Sequence, residues 1–173
     1  MDKLTIISGV LFVTAEVFAV ASLGHPDWIN TGGRAGDITL GLTMQCQTIY
    51  GRKQSCFAPD LPPEWLGTRL FLVAGIVCLG ITCLLVVSSH WKRDRLIYAR
   101  WMAFIAIGCL SYVGMLFPIG FRQVTVGGEA FKLPELWRLG DSYKLLWVFS
   151  IILSCSGWGM LMMPMRLWMM NRN

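Results

Sequence analysis

Apolar residues in this chain gather in four long runs rather than at the spacing of soluble amphipathic helices. The runs cover Leu4 to Leu23, Leu66 to Ser89, Ala99 to Phe121 and Tyr143 to Met163. Each is close to the roughly 20 residues that an α-helix needs to cross a bilayer. Small or polar residues punctuate them, among them Ser8, Gly75, Gly108, Ser111 and Ser154. Helices packing in lipid use such residues to bring their backbones together. The pattern therefore predicts a bundle of four membrane-spanning helices, residues 1–173 forming one membrane domain. Ala19-Val20-Ala21 resembles a signal cleavage site, but the first run is too long for a signal peptide and Glu16 interrupts it, so it is expected to remain as a span.

The segment between the first two runs follows a different period. Ile38, Leu40, Leu42, Met44, Cys46, Thr48 and Tyr50 alternate with Thr39, Gly41, Thr43, Gln45 and Gln47. Period-two alternation predicts a single half-buried strand from Ile38 to Tyr50. Gly51 then turns the chain, placing Cys56 on a returning strand. The expected fold class is an all-α membrane bundle with a small extracellular β-sheet.

Composition agrees. Hydrophobic residues make up 55% of the chain and charged ones 14%, against about 25% charged in globular domains. The net charge of +5 does not point to nucleic acid, because the charges sit between apolar runs rather than on one solvated face. Their distribution sets orientation instead. The link WKRDRLIYAR carries Lys92, Arg93, Arg95 and Arg100 against Asp94, with Lys3, Arg166 and Arg172 on the same side. The loops 24–65 and 122–142 balance their charges. Both termini and the basic link are expected in the cytoplasm, and both loops outside. Trp28, Trp65, Trp91, Trp101, Trp137 and Trp168 fall near span ends, where interfacial anchors belong.

Cys46 and Cys56 then face an oxidising compartment and are expected to form a disulfide. Cys78, Cys83, Cys109 and Cys155 lie in the spans as small apolar residues. Two cysteines without nearby histidine do not make a zinc site, so no metal is expected.

The order Trp28, Gly41-Leu42, Cys46, Cys56 is similar to the W, GLW, C, C pattern of claudin-like proteins, with Thr43 where GLW has its tryptophan. A narrower resemblance runs from residue 1 to about residue 134. MDKLTIISG, HPDWINTG, QCQTIYGR, LPPEW, SHWKR, YARWMAF, FPIGF and VGGEAFKLP occur in that order. Together they resemble the attenuator of Hedgehog family, also called Atthog or modulator of smoothened. That resemblance implies a claudin-like four-span bundle at the plasma membrane and primary cilium. It implies a non-catalytic negative regulator of Hedgehog signalling that lowers Smoothened. The implied partners are a large EGF-repeat transmembrane protein and the mahogunin ubiquitin ligase. A claudin-like adhesion or channel-auxiliary role is the alternative, and Thr43 in place of tryptophan counts against it.

Three features bear on chemistry. Glu16 is an acid inside a span, which is costly and so a functional candidate. Ser111, Tyr112, Ser150 and Ser154 are expected at similar depth, with Arg69 reaching down from outside. The set reads either as a polar pocket for a partner helix or lipid, or as a buried carboxyl fixing helix register. The basic link reads either as an anionic-lipid contact or as an orientation signal alone. Finally, His25 and His90 fall on opposite sides of the membrane, and no HExxH, GxSxG, P-loop or CxxC occurs, so neither an enzyme nor a cofactor is expected.

Overall fold

The computed structural model describes residues 3–31, 38–47, 54–58, 63–89, 91, 94–120, 125, 126, 129, 130 and 137–170. Helix α1 runs Lys3–Gly24, α2 Pro63–Ser88 and α3 Arg95–Gly120. The fourth helical segment is continuous but compound: α4 (Asp141–Lys144), a π-helical stretch (Leu145–Ile151) and α5 (Ile152–Met170). Strands β1 (Ile29–Thr31), β2 (Ile38–Leu40), β3 (Gln45–Gln47) and β4 (Ser55–Phe57) separate α1 from α2, and β5 (Thr125–Val126), β6 (Glu129–Ala130) and β7 (Trp137–Leu139) separate α3 from α4.

Four stretches are long and apolar enough to cross a bilayer: Lys3–Gly24, Trp65–Ser88, Arg95–Ile119 and Asp141–Met163. A helix satisfies its own backbone, which lipid cannot do. About a third or less of each span is buried inside the protein. The rest faces outward, and on α1 that outer face is Val10, Val13, Val17 and Val20. The inward face of α1 is Thr5, Ser8, Phe12, Ala15, Ala19 and Ser22, at alternating three- and four-residue spacing. These small side chains let neighbours approach closely. Ser8 Oγ donates to the Gly157 carbonyl at 2.8 Å, and a Cβ on Gly157 would come within 3.3 Å of the Phe12 ring. On the other side of the bundle Gly75 meets Leu110, where a Cβ would come within 2.9 Å of its Cδ2. Helix α1 packs on α2 and α5, and α3 packs on the same two. The four spans therefore close a ring.

A five-stranded antiparallel sheet, ordered β4-β3-β2-β1-β7, caps one end. Strand β7 comes from the second loop and pairs with β1, Ile29 opposite Leu139. Both loops thus share one sheet. β5 and β6 form a separate pair.

The single strand expected from Ile38 to Tyr50 is not what forms. The chain turns after Leu40, and Gly41 N donates to the Met44 carbonyl at 2.9 Å. β3 then pairs back on β2 with Thr39 opposite Cys46. Gly41 and Leu42 are both buried, which two successive residues of an alternating strand cannot be. Gly41 belongs to the face expected to stay polar, so its burial breaks the alternation. Gly41 is required at the turn, because a Cβ there would sit 2.6 Å from Pro26 Cα and 2.9 Å from the Met44 carbonyl oxygen. Thr48, Tyr50 and the expected turn at Gly51 lie outside the described residues.

Cys56 does lie on a returning strand. It stands opposite Cys46 and is disulfide-bonded to it. The remaining cysteines are free: Cys78, Cys83 and Cys109 half-buried, Cys155 exposed. Two of the tryptophans expected as interfacial anchors are core residues instead, Trp28 at 1% and Trp65 at 4% exposure, whereas Trp91 and Trp101 are exposed. The side chains of Trp137 and Trp168 lie outside the described set.

Strand β4 pairs only with β3 among the described residues, and its side chains are all exposed, so the disulfide is its main restraint. A loop of this length is stabilised by roughly 2.5–3 kcal/mol in the chain-entropy model. Cys56→Ser is expected to expose β4 to limited proteolysis while all four helices still insert, read by protease fragment mapping on membranes.

Candidate functional site at the sheet–bundle junction

Trp28 sits where the sheet meets the helices. Its backbone N–H donates to the Leu40 carbonyl at 3.1 Å, and its own carbonyl accepts from Gly140 N at 2.9 Å. Its indole Nε1 donates to the Ser22 carbonyl at 2.7 Å, one of the last carbonyls of α1. A helix end leaves such carbonyls without intrahelical partners, and Trp28 takes one of them. The ring packs edge-on against Phe117 of α3, centroids 4.9 Å apart, and against Tyr143 of α4 at 6.2 Å. Phe117 also stacks on Trp65 of α2 at 5.7 Å. The Trp28 indole therefore touches α1, α3 and α4, while its backbone ties β2 and the entry to α4.

Neighbouring contacts finish the joint. Thr43 Oγ1 donates to the Leu23 carbonyl at 3.0 Å, another exposed end of α1. Ser22 Oγ donates to the Ser142 carbonyl at 2.8 Å. Asp27 receives the start of α4, its carbonyl accepting from Ser142 N at 3.0 Å and its Oδ2 from Asp141 N at 3.2 Å. Gly140 lies so close to Asp27 that a Cβ would strike the Asp27 carbonyl. Tyr143 Oη donates to the Gly114 carbonyl at 2.8 Å, and Gly114 leaves space for the Trp147 indole.

The intramembrane polar residues do not form one group. Phe18 stacks on Phe149 at 4.8 Å and Ser8 meets Gly157, so Ser150 and Ser154 pass alongside α1 over the stretch that holds Glu16. Both hydroxyls are fully buried and lack a hydrogen-bond partner among the described residues. Glu16 is half-buried and turned to α2, its Oε1 3.4 Å from where a Gly80 Cβ would lie, and its Oε2 has no partner among the described residues. Ser111 lies level with Ser150 along α3 and α5, where Gly114 meets Trp147 and Phe104 meets Trp158, whereas Tyr112 turns outward onto α2. Tyr112 packs on Phe71, centroids 4.7 Å apart, and Phe71 lies about 13 Å along α2 from Gly80. Arg69 is exposed and still further toward the sheet, roughly 16 Å along the helix from Gly80. The helices are staggered, which counting from sequence ends cannot reveal.

At the end opposite the sheet, Arg95 is exposed and opens α3, while Arg100 is half-buried, its Nε donating to the Leu161 carbonyl at 3.2 Å. Lys92 and Arg93 lie outside the described residues.

A family model described as Atthog, Attenuator of Hedgehog, matches residues 25–163, which takes in the sheet, three of the four spans and the junction apart from its α1 end. The chain belongs to the Attenuator of Hedgehog family. As an Atthog protein it is a Hedgehog signalling modulator carrying four membrane-length apolar helices. The junction gives the Atthog motifs physical meaning. In HPDWINTG, Asp27 caps α4 and Trp28 fills the joint. Thr43 bonds the end of α1, which gives the residue after Gly41-Leu42 a structural role without an aromatic ring. Sequence reading missed Gly140, Ser142, Tyr143 and Phe117, whose roles depend on partners more than twenty residues away. Gly140 directly before Asp141-Ser142 was the available signal, since a glycine beside a helix start marks a sharp entry.

Trp28→Phe keeps ring packing but removes the donor to Ser22, and is expected to cost about 1–3 kcal/mol. Trp28→Ala also empties the joint and is expected to cost about 3–5 kcal/mol. Thermal unfolding in detergent separates the two; equal losses would show that the hydrogen bond is the whole effect. Glu16→Gln preserves shape and removes charge from a site with an unpartnered oxygen, so it is expected to hold or raise the unfolding midpoint. A fall worth more than about 1 kcal/mol would show that the carboxylate has a partner it needs.

Proposed function

We propose that this protein is a non-catalytic multi-pass regulator that dampens Hedgehog signalling by lowering Smoothened at the cell surface and ciliary membrane. It would do so within a membrane ubiquitin-ligase complex containing a large EGF-repeat transmembrane protein and mahogunin. The observation that carries this reading is the Atthog match across residues 25–163. Orientation supports it: the balanced loops that build the sheet go outside, and the basic link and both termini go to the cytoplasm. The claudin-like likeness of the outer-loop pattern belongs to the same proposal, with Trp28, Gly41, Leu42 and the Cys46–Cys56 pair as its signature.

Physical support comes from how the molecule divides its surfaces. The four spans leave apolar side chains facing lipid, which suits lateral contact with other membrane proteins. The sheet presents Met44 and Phe57, each more than two-fifths exposed, beside the edge strand β4. Such a surface suits a partner ectodomain. A regulator of this kind acts by bringing a receptor and a ligase together, so its work is binding rather than chemistry.

Deleting the protein is expected to raise surface Smoothened and shift the transcriptional response to lower Hedgehog ligand. Re-expression restores both, and Trp28→Ala fails to restore them. Surface biotinylation and a pathway reporter make the measurement. Unchanged Smoothened in deleted cells would sink the proposal, and enrichment at cell contacts would favour adhesion instead.

A further inference from the structure

A groove of about 380 Å³ opens between α3 and α5 at the end opposite the sheet, lined by Ile97, Arg100, Trp101, Phe104, Trp158 and Met162. Ile97, Trp101 and Phe104 recur four and three residues apart, so they form one ridge of α3, and Trp158 and Met162 form the facing ridge of α5. The walls hold their shape through the backbone. Trp158 Nε1 donates to the Arg100 carbonyl at 3.2 Å, and the Phe104 and Trp158 rings meet at 5.7 Å. Ile97, Trp101 and Phe104 are each at least half exposed.

Arg100 is the one charge in this apolar lining. It lies about 8 Å inside the start of α3. Its Nε is anchored on Leu161, and no carboxylate pairs with it among the described residues. A guanidinium at that depth is costly unless an anion meets it. Anchoring by Nε leaves the Nη groups free to point at such an anion, and the paired donors of arginine match phosphate. Exposed Arg95 lies at the same rim, and Lys92 and Arg93 precede it in sequence against the single acid Asp94. A soluble anion would find only Arg100 here. An amphiphile with an anionic head would meet both the charge and the aromatic walls, and the groove is large enough for part of one.

We propose that this groove binds an anionic phospholipid, its net-negative headgroup (phosphate and carboxylate) on Arg100 and an acyl chain along Trp101, Phe104 and Trp158. The site stands apart from the sheet junction and holds whether or not the chain acts on Smoothened.

Native mass spectrometry of the full-length protein, released from nanodiscs of mixed phosphatidylcholine and phosphatidylserine, tests it. Wild type is expected to retain phosphatidylserine several-fold over phosphatidylcholine. Arg100→Gln is expected to reduce that preference about fivefold, with Arg100→Lys in between. Ile97→Trp fills the groove while keeping Arg100, and is expected to lower retention of both lipids. Because Arg100 also braces α5, each variant is first checked for thermal unfolding in lipid-free detergent. If Arg100→Gln does not fold, Ile97→Trp decides. Equal retention of the two lipids by wild type overturns the proposal, as does unchanged retention in Ile97→Trp. Displacement by soluble glycerophosphoserine would also overturn it, since that would mean a site for the headgroup alone.

Discussion

Burial of the Trp28 indole is the constraint on which the rest of the structure depends. A tryptophan this buried needs a partner for its N–H, and the Ser22 carbonyl at the end of α1 supplies one. That bond fixes where α1 stops relative to β1. The ring then sets the spacing of α3 and α4 through Phe117 and Tyr143. The Trp28 backbone extends the joint in both directions, to Leu40 in the first loop and to Gly140 before α4. A small sheet with three-residue strands has little core of its own. It is held because its centre is bolted to the bundle, and its far edge because Cys46 and Cys56 are bonded.

Two kinds of polar group sit within the helical layer, and the fold treats them differently. At the sheet end, Ser22, Thr43, Ser142 and Tyr143 all donate to backbone carbonyls, and Thr43 and Trp28 take two of the last carbonyls of α1. Deeper in, Glu16 Oε2, Ser150 and Ser154 have no partner among the described residues. The π-helical stretch Leu145–Ile151 contains Ser150 and precedes Ser154 by one turn. Wide helical turns of this kind are frequent at functional sites. The sheet end is cross-linked by many side-chain to backbone bonds, although Asp27 Oδ1 and Asn30 Oδ1 there lack partners among the described residues.

Function in a protein of this kind follows from surfaces. Sheet, lipid-facing spans and basic end offer three separate faces, one for each phase the chain meets. Contacts on the sheet, along the spans and at the basic end can all form at once, which suits a Hedgehog signalling modulator. The junction ties the sheet to the spans, so the two layers move together.

The sequence by itself determined the class of the molecule. Four apolar runs of bilayer length leave the backbone no alternative to helix in lipid, and two cysteines beside alternating residues announce a bridged pair of strands. Trp28, Gly41 and Leu42 were legible as a motif, though not as a joint. Tertiary structure decided what local pattern cannot carry. The turn at Gly41–Met44 broke an alternation that reads as one strand, because Gly41, on the face expected to stay polar, is buried against Pro26. Strand β7 joined the sheet from more than a hundred residues away, Ile29 pairing with Leu139, as Gly140 allowed its backbone to approach Asp27. Stagger between α1 and α2 moved Arg69 away from Glu16, and Tyr112 turned outward onto Phe71, since depth and facing depend on how neighbours pack and not on distance from a loop. Arg100, one of four basic residues in the link WKRDRLIYAR, became the charged rim of an apolar groove only when α5 came to lie beside it.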